Sequence, residues 1–147
     1  MIRHMNVKLG ICEDGAFMIR KIDNISVNYI EEGEGDVVLL LHGWGANITL
    51  YQGIIDTLKQ GRRVIALDMP GFGKTPEPDC PWCVDDYVDF VLKFIASFEL
   101  KKLSIVVHSF GGRVFFKMNA RKNLPFVVDK VVLIDSAGIL PKKTLGQ

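Results

Sequence analysis

The chain has 147 residues, 48% of them hydrophobic, and a formal net charge of +1, which fits one domain with a real core. Its longest aliphatic run, Val37 to Leu41, is far too short to span a bilayer. The opening "MIRHMNVKLG" has no apolar stretch of signal-peptide length, so a cytoplasmic protein is expected, and Cys12, Cys80 and Cys83 make no disulfide framework.

In chain order, "AFMIRKI" and the alternating run Ile25, Val27, Tyr29 flank Asp23-Asn24 and predict a hairpin. Ser26 and Asn28 alternate with the apolar positions, so the second strand is expected to be half-buried. "EEGEGD" then reads as a turn. Four short β-branched runs follow, "VVLLL", "RVIAL", "LSIVV" and "KVVLI". Continuous runs of this kind are how strands buried on both faces of a parallel sheet look.

Helical patterns lie between them. Leu50, Ile54 and Leu58 mark a weak helix softened by Gly53. Val84 to Glu99 is the clearest: Tyr87, Phe90, Val91, Phe94, Ile95 and Phe98 share one face. Asp85 and Asp86 sit in its first turn, where the helix dipole favours anions, and Asp89 and Lys93 are spaced to pair on the wet face. A third helix, around Phe115 and Met118, follows "HSFGG". This alternation predicts a doubly wound α/β layout around a mostly parallel sheet, one domain over residues 1–147.

Ligands of such sheets bind beyond the carboxyl ends of the strands. Three of those ends carry chemistry: "LLLHGWGAN", "IALDMPGFGKT" and "IVVHSFGGR". The set, in this order, resembles the α/β-hydrolase superfamily, and "VLIDSAG" resembles that family's sixth strand. The likeness runs from about Ala16 to Lys143.

The resemblance implies a serine nucleophile, Ser109, raised on a sharp strand-to-helix turn. Gly111 meets the need for a small residue after it. Val107 stands where the pattern has glycine, so a branched side chain must be fitted against the following helix. The resemblance also implies an oxyanion hole formed by the backbone N–H groups of Trp44 and Phe110, with the positive end of the helix that starts at Ser109. His42 would be a structural member of the oxyanion loop.

The family orders its triad as Ser, then Asp or Glu, then His. After Ser109 the chain has two acids, Asp129 and Asp135, and no histidine. His108 adjoins Ser109 and is expected to be a packed residue of the turn; His4 lies in an N-terminal tail. Asp135, at the end of the sixth strand, is a candidate acid, its alternative being a polar strand terminator. The sequence is therefore read as the N-terminal half of a serine hydrolase for an ester-like or related acyl substrate, without the cap and later strands. The chain alone is expected to be nearly inactive. The alternative is a non-catalytic binding or assembly module derived from that fold.

No cofactor or metal is implied. "CPWC" has redox spacing, but a loop rather than a strand precedes it, and zinc would need two further ligands. "GFGKT" lacks the glycine of a phosphate loop, because Asp68 holds that position. Residues 1–99 carry −6 and residues 100–147 carry +7, but the basic residues are scattered with no interleaved aromatics, which argues against nucleic acid. The sixth strand, Lys130 to Asp135, is expected to form an exposed apolar edge that recruits a second copy of the chain or a missing C-terminal half.

Overall fold

The structure, a computed structural model, describes residues 17–138. His4, Cys12 and the tail beyond Gly138 lie outside the described residues. Six strands form one sheet in the order β1-β2-β4-β3-β5-β6. The hairpin is present: β1 (Phe17–Ile22) and β2 (Ile25–Glu32) pair antiparallel, with Asp23 at φ 52° in the turn. β2 then pairs antiparallel with β4 (Arg63–Leu67). β3 (Val37–Leu41), β5 (Lys102–His108) and β6 (Val127–Ile134) complete a parallel block with β4. A register break puts Asp129 and Lys130 of β6 opposite the single Ser104 of β5, a bulge in an edge strand.

The larger core cluster lies where α2 (Val84–Ala96) and α3 (Phe110–Asn119) cover one face of the sheet, with Phe94, Val88 and Met118 fully buried. The opposite face is covered by a 3-10 turn (Ile48–Tyr51) and α1 (Gln52–Leu58).

Four local expectations are corrected. Asn28 is buried rather than outward, because β2 is covered on both sides from Val27 to Ile30 and its amide bonds to Asp68. Leu50 is 71% exposed; Tyr51 and Ile55 carry the inner face instead, since a 3-10 turn precedes α1 and shifts the helical phase. The helix predicted to Glu99 ends at Ala96, with Ser97 as its cap and Glu99 at φ 55°. Asp89 and Lys93 do not pair with each other: Lys93 Nζ reaches Asp23 at 2.6 Å, and Asp89 bonds Arg121, just past the end of α3. Tertiary partners displaced the local pair.

Candidate active site

Ser109 occupies the single residue between β5 and α3, as the N-cap of α3. The helix thus begins at Phe110, one residue later than the sequence suggested. The backbone of Ser109 is at φ 46°, ψ −113°, a region that costs a residue with a Cβ about 1–3 kcal/mol. Neighbours hold it there. Its N–H donates to the Ile134 carbonyl at 3.2 Å, and its own carbonyl accepts from Gly112 N–H and Ala137 N–H, each at 3.0 Å. The exit of β6 therefore clasps the turn from both sides.

The close approach needs glycines. A Cβ on Gly111 would lie 2.4 Å from the Leu41 carbonyl oxygen, at the end of β3. Gly43 is wedged between two residues: a Cβ there would sit 2.9 Å from His108 Nδ1 and 3.1 Å from Ser109 Cβ. This fixes the half-buried His108 as a packing partner of Gly43. Val107 is fully buried in the core beneath α3, so the departure from glycine is accommodated.

The loop after β3 carries Trp44. Its turn closes through Ala46 N–H donating to the Gly43 carbonyl at 3.1 Å, with Gly45 at φ 71°. The Trp44 ring is exposed and packs edge-on against Phe72 at 4.9 Å and Phe110 at 5.2 Å. Trp44, Phe72 and Phe110 come from three different strand ends. Trp44 and Ser109 are brought together through Gly43. As the first residue of α3, Phe110 has an N–H without an intrahelical acceptor.

His42 is buried between the loops after β3 and β4. Nδ1 lies 2.8 Å from the Gly43 carbonyl oxygen, and Nε2 accepts the Met69 N–H at 2.9 Å. Burial pushes its pKa below the ordinary value, against smaller upward pulls from the Gly43 carbonyl and the Asp68 charge. The ring is held neutral.

Asp68 is a residue that the sequence motif contained but whose task it did not reveal. Its buried carboxylate accepts from Asn28 Nδ2 (2.8 Å), Ile48 N–H (2.8 Å) and Lys74 N–H (2.9 Å). It thereby ties β2 to the loops after β3 and β4. The buried polar Asn28 in an apolar strand was the available signal.

Asp135 stands exposed at φ 42° just past β6, one residue beyond the Ile134 that holds Ser109. Next to it, the Ser136 hydroxyl is buried against Gly112 with no hydrogen-bond partner among the described residues. Asp129 is at the other end of β6, 3.3 Å from Lys102 Nζ, far along the strand from Ser109. Cys80 and Cys83 are free and exposed, Cys83 as the N-cap of α2, and no group of three or more metal-binding side chains occurs among the described residues. No helix among them is long and apolar enough to cross a membrane.

Comparison with known proteins supplies an independent line. The family model described as alpha/beta hydrolase fold matches residues 36–147. The 2-hydroxy-6-oxo-6-(2'-aminophenyl)hexa-2,4-dienoic acid hydrolase of Metapseudomonas resinovorans is 34% identical over 120 residues, which cover 79% of this chain and 41% of that protein. The serine hydrolase-like protein of Homo sapiens is 32% identical over 108 residues, 70% of this chain and 51% of that one. Among solved structures, a bacterial membrane phospholipase A superposes with a TM-score of 0.79 at 30% identity, covering 87% of this chain and 42% of its own. A serine hydrolase involved in carbazole degradation gives 0.74 at 33% identity, covering 85% and 50%. The chain spans between 31% and 51% of the length of the curated relatives it matches.

Proposed function

The chain belongs to the alpha/beta hydrolase fold family, and from that premise we propose that it is the nucleophile-bearing part of a serine hydrolase for ester-like or related acyl substrates. Ser109 is the nucleophile. The N–H groups of Trp44 and Phe110 stabilise the oxyanion, with the N-terminus of α3 adding its positive end. The observation that carries this reading is the strained Ser109 turn, held by Ile134 and Ala137 and flanked by Gly43 of the Trp44 loop. Strain that surrounding contacts maintain is a mark of functional positions.

In the reaction, the Ser109 oxygen attacks the substrate carbonyl carbon as its proton passes to a base, the C–O bond to the leaving group breaks, and the base returns that proton to the departing oxygen, leaving an acyl-enzyme. That base comes from outside residues 110–147, which contain no histidine. Asp135 is the acid that would orient it, because it flanks the strand end that holds Ser109. The names of relatives that are oxo acid and semialdehyde hydrolases support a carbonyl substrate. A cytoplasmic location is proposed because three cysteines make no disulfide framework, and β6 is proposed to pair with a second copy.

The test is acylation rather than turnover. The chain is incubated with 4-nitrophenyl acetate and added imidazole as a substitute base, and intact mass is followed. Acetylation of the native chain, absent in Ser109→Ala, is expected. Equal labelling of both would end the serine-hydrolase reading and leave the binding module.

A further inference from the structure

The loop between β4 and α2 holds a side-chain pair that the hydrolase reading leaves unused. Cys80 and Cys83 are both free and both exposed, three residues apart. A loop precedes them instead of a strand, which argues against an oxidoreductase but not against a disulfide of the chain's own. Such a bond needs Cα atoms about 4.4–6.8 Å apart. The chain bends at Cys80 and then has neither turn nor helix until Val84; Cys83 itself is extended, at φ −88° and ψ 177°. The run from Cys80 to Cys83 lacks the turn that would bring two such residues together.

An alternative helix start supplies that turn. α2 begins at Val84, where the Asp86 carboxylate takes the Cys83 N–H at 2.7 Å and closes a capping box. One turn earlier, Cys80-Pro81 offers a second start, with proline at the first helical position, where its missing N–H is no loss. Among the described residues no backbone–backbone hydrogen bond holds Cys80, Pro81 or Trp82, so their main chain is free to take it. Residues three apart on a helix are neighbours, and Cys80 and Cys83 would then lie within reach of each other.

The Trp82 ring opposes the change. It is half-buried and meets Tyr87 at 5.1 Å and Phe90 at 5.7 Å; Tyr87 in turn meets Phe110, the residue after Ser109, at 5.4 Å. Successive side chains of a helix turn by about 100°. On a helix starting at Pro81, Trp82 would point away from the inner face that Tyr87, Val88 and Val91 mark. Closing the bond therefore undocks Trp82, and that cost makes the disulfide easy to reduce.

We propose that Cys80 and Cys83 are a reversible redox modification site: exchange with a low-molecular-weight disulfide closes them into an intrachain disulfide, while α2 gains a first turn from Pro81 and Trp82 leaves Tyr87. One thiolate attacks the external disulfide and forms a mixed disulfide, releasing the first external thiol. The other cysteine then loses its proton and attacks the bound protein sulfur, releasing the second. Two protein thiols are oxidised, one external disulfide is reduced to two thiols, and the two cysteine protons end on those thiols. The second step is intramolecular and outruns attack on another external disulfide. In a reducing cytoplasm such a pair closes only transiently. The inference stands apart from the serine-hydrolase reading.

The chain carrying Cys12→Ser, so that only this pair remains, is equilibrated in mixtures of reduced and oxidised glutathione, and its intact mass is followed. Loss of two hydrogens with no glutathione attached is expected, reversed by dithiothreitol. Adding Cys80→Ser or Cys83→Ser should instead leave one glutathione on the remaining thiol. The emission of Trp82, read with Trp44→Phe in place, should move to longer wavelength on closure, and the amides of Trp82 and Cys83 should take helical chemical shifts. A chain that holds glutathione on both sulfurs, or that links to a second copy instead of closing, overturns the inference. So does a closed disulfide that leaves the Trp82 emission and the Cys83 amide unchanged.

Discussion

At Ser109 a residue with a Cβ is held at positive φ by one hydrogen bond donated to Ile134 and two accepted from Gly112 and Ala137, and the glycines around it leave no spare room. Gly111→Ala would drive a methyl group to within 2.4 Å of the Leu41 carbonyl oxygen, and backbone cannot swing aside as a side chain can. The expected cost is about 3 kcal/mol, read as a lower denaturation midpoint at unchanged slope; a neutral substitution would mean that β3 and α3 are less closely packed than described. His42 adds a pH dependence. Burial lowers its folded pKa below the unfolded value of about 6.5. The unfolded chain then binds the proton first as the medium is acidified. Stability is therefore unaffected by His42 above that value, and falls as pH drops through it toward the folded pKa. Urea midpoints measured from pH 8 to pH 5 should decline, and the decline should be shallower in His42→Gln; identical slopes would show that another group is responsible. Ser109, Trp44 and Phe110 could be proposed from the sequence because their spacing along the chain carries the motif. The work of Asp68 could not, because its partners are distant in sequence: Asn28 is brought to it by β2, the neighbour of β4, and Ile48 by the turn after β3.

Among the elements, α2 was the most legible, since its apolar face repeats with helical period from Tyr87 to Ile95. Phe94 is the centre of that face. It is fully buried and meets Tyr29 at 5.8 Å and Phe98 at 5.1 Å, so α2, its C-terminal turn and β2 share one aromatic cluster. Phe94→Ala should destabilise the fold by about 3–5 kcal/mol, the range for emptying a large core site. A thermal melt checks this, and a loss below about 1 kcal/mol would imply that the cluster collapses onto the gap. What stayed hidden at this scale was whatever depends on a neighbouring element. The polar Asn28 looked outward because alternation cannot reveal that Asp68, just past β4, takes its side-chain amide and that Thr75 takes its backbone N–H. Leu50 looked inward because a 3-10 turn, one residue out of phase with the helix, leaves no periodic signature. The spacing of Asp89 and Lys93 was sound for an isolated helix, but Arg121 just past α3 and Asp23 in the hairpin turn were the partners in reach.

For the whole molecule the asymmetry lies in β6. It is the last strand of the sheet, pairing with β5 on one side only among the described residues. Val127 is 63% exposed, Val132 52% and Leu133 41%, so both its backbone edge and its apolar side chains face water. The bulge at Asp129 and Lys130 blunts the middle of the strand, but the segment Val131–Ile134 beyond it is regular and apolar. That segment lies next to the Ser109 turn, since the Ile134 carbonyl accepts the Ser109 N–H. An open strand of this kind satisfies its donors and acceptors by taking on another strand, and a second copy offers the same segment across a two-fold axis. The chain is expected to be a dimer or larger by light scattering at micromolar concentration. Val132→Lys places a charge on the exposed face without removing a backbone donor or acceptor, so it should weaken association while leaving the melting of the subunit core nearly unchanged. Because Ile134 and Ala137 clasp Ser109, dissociation should also speed amide exchange at Ser109 and Ala137 ahead of that in β3 and β4. A native chain that is monomeric throughout, with amides of Val131–Ile134 as protected as those of β3, would show that this edge needs no partner.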